Sequence, residues 1–256
     1  MGDSGKEREM SFWDHLEELR GTIIRSLLAV CLLAVLGFIF KQALFSAVLA
    51  PASEDFFLYR LLGWHFDFEL INVEMSAQFF VHLRAAFGAA LVLGCPYIVW
   101  ELWRFVAPAL YKRERRAVGT AFLMAAGLFY LGVAVGYVLV LPACVQFFLN
   151  YSVSDQITNA ITIGSYMSMF ISTVLLVGLS FEFPTVIWLL SRLGILTRAQ
   201  LRKGRRYAIV AVLVLAALVT PADPLSMFIV ATPLYLLYEI SILLCSKSPE
   251  SPEADA

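Results

Sequence analysis

Six apolar runs separated by polar segments organise the chain, near 22–40, 75–100, 117–141, 163–190, 207–219 and 227–245. A helix needs about 20 apolar residues to cross the hydrocarbon of a bilayer, so the pattern predicts an all-α integral membrane protein with six transmembrane helices. The fifth run is short. At a rise of ~1.5 Å per residue it reaches only ~20 Å against ~30 Å of hydrocarbon, so either the bilayer thins locally or short spans 5 and 6 form a hairpin that barely crosses. Between them, Thr220-Pro221-Ala222-Asp223-Pro224 supplies prolines and an aspartate that end one helix and start the next.

The polar segments carry patterns of their own. Before span 1, Phe12, Leu16, Leu19 and Ile23 recur at helical spacing, with Ser11 and Asp14 as a capping-box variant. This predicts an amphipathic helix on the membrane interface, bearing Asp14, Glu17 and Glu18 on its exposed side. Loop 41–74 is expected to be an outer cap. In it, Pro51 and Ser53 start a short helix with Glu54 and Asp55 in its first turn, and Trp64 to Leu70 alternates apolar and polar residues, His65 among the solvated ones. The division is then an N-terminal segment 1–20, a membrane domain 21–245, and a polar, Pro-rich tail 246–256 expected to be disordered. No internal repeat is evident.

Composition agrees. Apolar residues make up 60% of the chain, charged ones 15%, and the mean hydropathy is +0.79, whereas soluble domains are roughly 45–50% apolar. A net charge of −1, with basic residues confined to short inter-span segments, excludes nucleic acid as a partner. Those segments also set orientation. Sixteen Lys and Arg fall before span 1 or in its first turn, between spans 2 and 3, between spans 4 and 5, or in the tail; only Lys41 and Arg60 fall on the other side, with Arg84 further inside span 2. The positive-inside rule therefore places both termini in the cytoplasm. The acidic first twenty residues resemble neither a signal nor a transit peptide, so the N-terminus is expected to be retained and the location to be a prokaryotic cytoplasmic membrane. Cys31, Cys95, Cys144 and Cys245 stand singly, without metal-ligand spacing, and are expected to be buried small hydrophobes. No cofactor or metal is implied.

Few ionisable side chains interrupt the apolar runs. Glu182, in Phe181-Glu182-Phe183-Pro184, is the acid of span 4. A charged residue at a helix centre costs roughly 2.5–3.5 kcal/mol, so such groups face a cavity or a partner and mark function. His82 and Arg84 lie near the outer end of span 2 and are expected to snorkel. Glu239 is expected to reach water or to pair with a base such as Arg205, Pro96 and Pro184 to kink their helices, and Gly127, Gly132 and Gly136 to permit close packing. Glu17 or Glu18 could form a solvated face paired with Arg20. Glu114, one acid among five bases, either offsets their repulsion or accepts an incoming guanidinium. No HExxH or complete serine signature is present, so an enzyme is not expected.

Five motifs then occur in order: His15-Leu16-Glu17-Glu18-Leu19-Arg20; Phe105-Val106-Ala107-Pro108-Ala109-Leu110-Tyr111 with Glu114-Arg115; Phe181-Glu182-Phe183-Pro184; Thr220-Pro221-Ala222-Asp223; and Leu237-Tyr238-Glu239-Ile240. In this order, with six spans, they resemble the TatC family, the multispanning receptors of the twin-arginine protein translocase. The resemblance runs from Ser11 to Ile240.

It implies a non-enzymatic receptor for signal peptides carrying paired arginines on folded proteins. The acids at Glu18 and Glu114 would hold the arginine pair, with Phe105 beside them and His15 and Arg20 in the same motif. Glu182 would face a concave pocket within the membrane. Small single-span subunits of the TatA and TatB type would pack near spans 5 and 6, around Asp223 and Met227, in an oligomeric assembly driven by the proton gradient. The chain departs from the family at Met227, where a glutamine is common, and at Leu49-Ala50-Pro51-Ala52, one residue tighter than the usual motif. The rival reading is a proton-coupled small-solute transporter using Glu182, which leaves the acidic N-terminal helix unexplained.

Overall fold

A computed structural model describes residues 12–63, 69–106, 115–152, 154, 160–192, 195–219 and 224–245, most of them helical. Helix α1 (Phe12–Ile39) has 28 residues and no proline, so the amphipathic segment and span 1 form one unbroken rod. Its exposed side carries Leu27, Leu28, Leu32, Val35 and Ile39, each more than half exposed. Such a face is covered at low cost by lipid or by an apolar partner helix.

The outer cap follows. Helix α2 (Lys41–Leu49) runs into a 3-10 turn at Ala50–Ala52, and α3 (Phe57–Leu62) ends at Gly63, whose φ of 65° is left-handed. The cap helix thus starts later than Ser53. Ser53 Oγ instead accepts a bond from Asp55 N at 3.3 Å, which closes a turn and leaves Glu54 and Asp55 ahead of the helix. Tyr59 is fully buried beneath this turn and donates its hydroxyl to Pro51 O at 2.8 Å. Trp64 to Phe68, with His65, lie outside the described residues.

Strand β1 (Leu70–Ile71) leads to α4 (Ala77–Val106), which carries Pro96 without interruption. The third span is built from α5 (Arg115–Val135), a π turn at Gly136–Val140 and α6 (Leu141–Asn150). It therefore extends to Asn150 rather than 141. Pro142 lacks the N–H that a regular helix would use, and the wider π turn just before it absorbs the mismatch. Two glycines of this rod permit close approach: a Cβ at Gly132 would lie 2.7 Å from the Phe181 ring, and one at Gly136 would lie 3.3 Å from Thr173 O. Among the described residues nothing lies within 4 Å of a Cβ at Gly127, so no close packing is seen there.

Strand β2 (Ile161–Thr162) pairs in parallel with β1, Leu70 opposite Ile161 and Ile71 opposite Thr162. Helix α7 (Ile163–Ser180) and α8 (Phe183–Arg192) make span 4, which is broken at Phe181-Glu182, in the turn just ahead of Pro184. Pro184 sits in the first turn of α8, where a missing N–H is tolerated. Helix α9 (Arg198–Val219) has 22 residues, so the fifth helix is not short; only its apolar part is, because its first turns are basic. Helix α10 (Pro224–Leu244) opens on a proline and returns alongside α9.

Val30 and Ala34 pack on Ala90 to hold α1 to α4, while the two larger of the apolar clusters among the described residues join most of these rods. One gathers Val140, Cys144, Val177, Phe181, Ala216 and Val230 from α6, α7, α9 and α10 and their connections. The other joins the cap to α4, α6 and α7 through Val48, Val81, Leu141, Tyr166 and Met167. Tyr166 ties it down by donating to Val48 O at 2.7 Å. Segments His15–Ile39, Ala77–Phe105, Phe122–Asn150 and Ile163–Ser191 are long and apolar enough to cross a membrane, and Met227–Leu243 is a shorter apolar helix. The chain is a multi-pass membrane protein.

Candidate functional site

On α1, His15, Glu18, Thr22 and Arg25 recur at three and four residues and so share one face. That face packs against α4, which runs antiparallel to it. At the upper end the His15 and Phe105 rings stack with centroids 4.3 Å apart. One turn further along, Arg25 Nε donates to Glu101 Oε2 at 2.8 Å, and Tyr97 donates its hydroxyl to Glu101 Oε1 at 3.2 Å. Arg25 Nη2 also reaches Thr22 Oγ1 at 3.4 Å. Below this polar section the interface becomes small and apolar. A Cβ at Gly94 would meet Leu33 at 3.3 Å, and one at Gly37 would meet Ala86 at 3.5 Å.

The arrangement brings the N-terminal motif onto the end of α4. Glu18 is half-buried, whereas Glu17 and Arg20 are exposed. Two residues on from Glu18, Arg20 points to the far side of α1. Among the described residues, no ion pair joins Glu17, Glu18 and Arg20, so the expected local pairing does not form. Glu18 lies one turn along α1 from His15, whose ring stacks on Phe105. Glu114, eight residues beyond Val106, lies outside the described residues.

Glu101 is the residue that sequence reasoning missed. Only 3% of its side chain is exposed, and it is fully engaged by Arg25 and Tyr97. The apolar run of span 2 was bounded at residue 100, which left this acid just outside it. A signal was present: Glu101 lies four residues after Tyr97 and four before Phe105, so the three share one face of α4.

Glu182 occupies the break in span 4. Its N–H donates to Leu179 O at 3.1 Å, and its carbonyl accepts from Val186 N at 3.0 Å, so the chain turns without losing these bonds. Its Oε1 is buried and has no hydrogen-bond partner among the described residues; nor has the hydroxyl of Thr185, three residues on. A buried acceptor left open in this way costs about 1–3 kcal/mol, so the position favours any group that brings a donor.

The remaining candidates divide. Met227 is half-buried and packs on the core between α9 and α10, an apolar contact in place of a polar one. Asp223 lies outside the described residues. Glu239 accepts from Arg205 Nη2 at 2.6 Å and from Tyr235 at 3.0 Å, the pairing expected from the sequence. His82 does not snorkel: it is buried, stacked on Phe38 at 4.0 Å and set edge-on to Phe45 at 5.5 Å. Cys31 is exposed on the lipid side of α1, whereas the other three cysteines are buried.

Known proteins share this sequence and this architecture. The profile of the family described as Sec-independent protein translocase protein (TatC) matches residues 14–233. The TatC protein of Deinococcus radiodurans is 36% identical over 234 residues, covering 91% of this chain and 84% of its own length. That of Blattabacterium is 32% identical over 255 residues, covering 93% and 96%. Two crystal structures of the twin-arginine translocase receptor TatC are each 31% identical. They superpose with TM-scores of 0.76 and 0.78, covering 90% and 91% of this chain and 97% and 99% of theirs. With its motifs in order, its helices in the same arrangement and its relatives matched nearly end to end, the chain belongs to the TatC family of Sec-independent protein translocase proteins.

Proposed function

We propose that this chain is the signal-peptide receptor of a twin-arginine translocase, resident in a prokaryotic cytoplasmic membrane with both termini in the cytoplasm. One observation carries the reading: the His15–Phe105 stack, which seats the motif containing Glu18 on the end of α4 that leads toward Glu114. Glu18 and Glu114 accept the paired guanidinium groups of the signal peptide. A planar guanidinium presents a fixed fork of donors that a carboxylate accepts bidentately, and a lysine ammonium cannot, so the pair selects arginine. Each charged hydrogen bond is worth only about 1.5–3 kcal/mol net, while millimolar binding already requires ~4 kcal/mol. The two acids therefore supply selectivity, and the apolar part of the signal peptide supplies affinity by lying in the groove that Glu182 faces.

Small single-span subunits pack by α9 and α10, where Met227 offers an apolar contact, and the assembled oligomer uses the proton gradient to move folded cargo. The chain acts by binding and not by catalysis. Family membership favours this reading over solute transport. The test is binding of a labelled twin-arginine peptide and its twin-lysine version to purified protein, with Glu18→Ala and Glu114→Ala alongside. Arginine-selective binding lost in both variants supports the receptor; equal weak binding of both peptides to all three proteins removes it.

A further inference from the structure

At the end of the molecule opposite the His15–Phe105 stack, a cavity of about 330 Å³ opens between the start of α4 and the start of α7. Arg84 and Glu74 both line it, together with Gly164, Ser165 and Ser168 of α7. Arg84 stands in the third turn of a membrane-spanning helix, and its guanidinium has five donors. Among the described residues its hydrogen-bond acceptor is Ser168 Oγ, at a long 3.4 Å. Neither Arg84 nor Glu74 forms an ion pair among the described residues, although their charges are opposite and they share a wall. The cavity thus holds a positive and a negative pole apart.

The surroundings say what could bridge those poles. Phe80, Arg84, Phe87 and Leu91 follow one another on a single face of α4, and the three apolar members are between 39% and 52% exposed. A soluble anion would leave this stripe bare. A lipid would place its charged head at Arg84 and run its chains along Phe87 and Leu91. Side chains in a helix also lean toward its N-terminus, which directs Arg84 out of the hydrocarbon and into the cavity. Among the described residues, a Cβ at Gly164 would meet nothing within 4 Å, so the opening of α7 itself does not fill the cavity.

We infer that this cavity binds the headgroup of a membrane phospholipid that carries both a phosphate and a primary ammonium, as in phosphatidylethanolamine. The phosphate pairs with Arg84, and the ammonium donates to Glu74. A volume near 300 Å³ is at the lower end of small-molecule sites and suits a headgroup. Trimethylation of the amine removes its donors, and a glycerol headgroup removes the cation, so neither substitute satisfies Glu74.

The test is lipid retention by the purified full chain in detergent, read by native mass spectrometry. Equal amounts of phosphatidylethanolamine, phosphatidylcholine and phosphatidylglycerol are offered, with soluble glycerophosphoethanolamine as competitor. We expect phosphatidylethanolamine to be retained roughly tenfold over the other two, a difference of ~1.4 kcal/mol. Glu74→Gln should level ethanolamine and choline lipids, and Arg84→Gln should lose all three. Equal retention of the three lipids by the unaltered protein, or a preference that survives both substitutions, overturns the site. Displacement by the soluble headgroup at concentrations equal to those of the lipid overturns the lipid as its occupant.

Discussion

Arg25 on α1 and Glu101 on α4 meet at 2.8 Å although 76 residues separate them, and the two sides of the contact differ sharply: Arg25 keeps 42% of its side chain exposed, Glu101 only 3%. Removing the arginine strands a buried carboxylate, whereas removing both charges leaves two helices that can pack. Breaking a fully buried pair costs about 3–5 kcal/mol, and the exposure of Arg25 lowers that to roughly 1–3 kcal/mol through solvent screening. Arg25→Leu should therefore lower the thermal midpoint in detergent, and Arg25→Leu with Glu101→Leu should recover most of the loss. Additive losses in the double variant would sink this account.

The His15–Phe105 stack predicts a separation of binding from stability. An aromatic pair adds about 0.5–1.5 kcal/mol beyond area burial, little for a protein of this size. Phe105→Ala should leave the unfolding midpoint within a few degrees while weakening twin-arginine peptide binding about tenfold, equivalent to ~1.4 kcal/mol. Titration of the labelled peptide beside a melting curve checks both halves.

Gly132 and Gly127 lie five residues apart on α5 and should respond in opposite ways. A methyl group at Gly132 collides with the Phe181 ring at 2.7 Å, and overpacking of this kind costs about 1–3 kcal/mol. At Gly127 the same methyl meets none of the described residues within 4 Å, and alanine favours the helix by up to ~1 kcal/mol. Gly132→Ala should melt earlier than the parent and Gly127→Ala no earlier; equal midpoints would remove the close contact with Phe181.

Tyr59 makes the cap sensitive to alkali. Burial pushes its phenol well above the ordinary value of 10, so the folded cap holds the neutral form. The sign follows: its contribution is complete below pH 10 and fades as pH rises past it, because the unfolded chain ionises first. Tyr59→Phe should remove that part of the alkaline loss at the cost of about 1 kcal/mol at neutral pH, from the bond to Pro51 O. Proteolysis of the cap across pH 8 to 11 in both proteins measures it.

How much could be read in advance depended on which force shaped each element. The apolar runs of spans 1, 2 and 4 were legible because hydrocarbon demands continuous hydrophobicity, and the starts of α4 and α7 fall close to those limits, whereas α4 runs on to Val106 and α7 stops at Ser180. Helix α9 was underestimated since its opening residues, Arg198 to Arg206, are helical for backbone reasons and carry no hydropathy signal. The π turn before Pro142 and the break at Phe181-Glu182 depend on backbone geometry that periodicity does not report. At the site, His15, Glu18 and Phe105 were legible as motif residues. The Arg25–Glu101 contact was not, because a long-range pair is set by how two helices cross and not by either helix alone.

The continuity of α1 has a mechanical consequence. Twenty-eight residues at 1.5 Å give a shaft about 42 Å long, well over the hydrocarbon thickness, with no joint along it. Its tip carries Glu18, and near its foot Phe38 is wedged against His82. A pull on the tip cannot be absorbed locally. With no joint along the rod, a displacement at the Glu18 end is carried along it toward the Phe38–His82 contact near the other end.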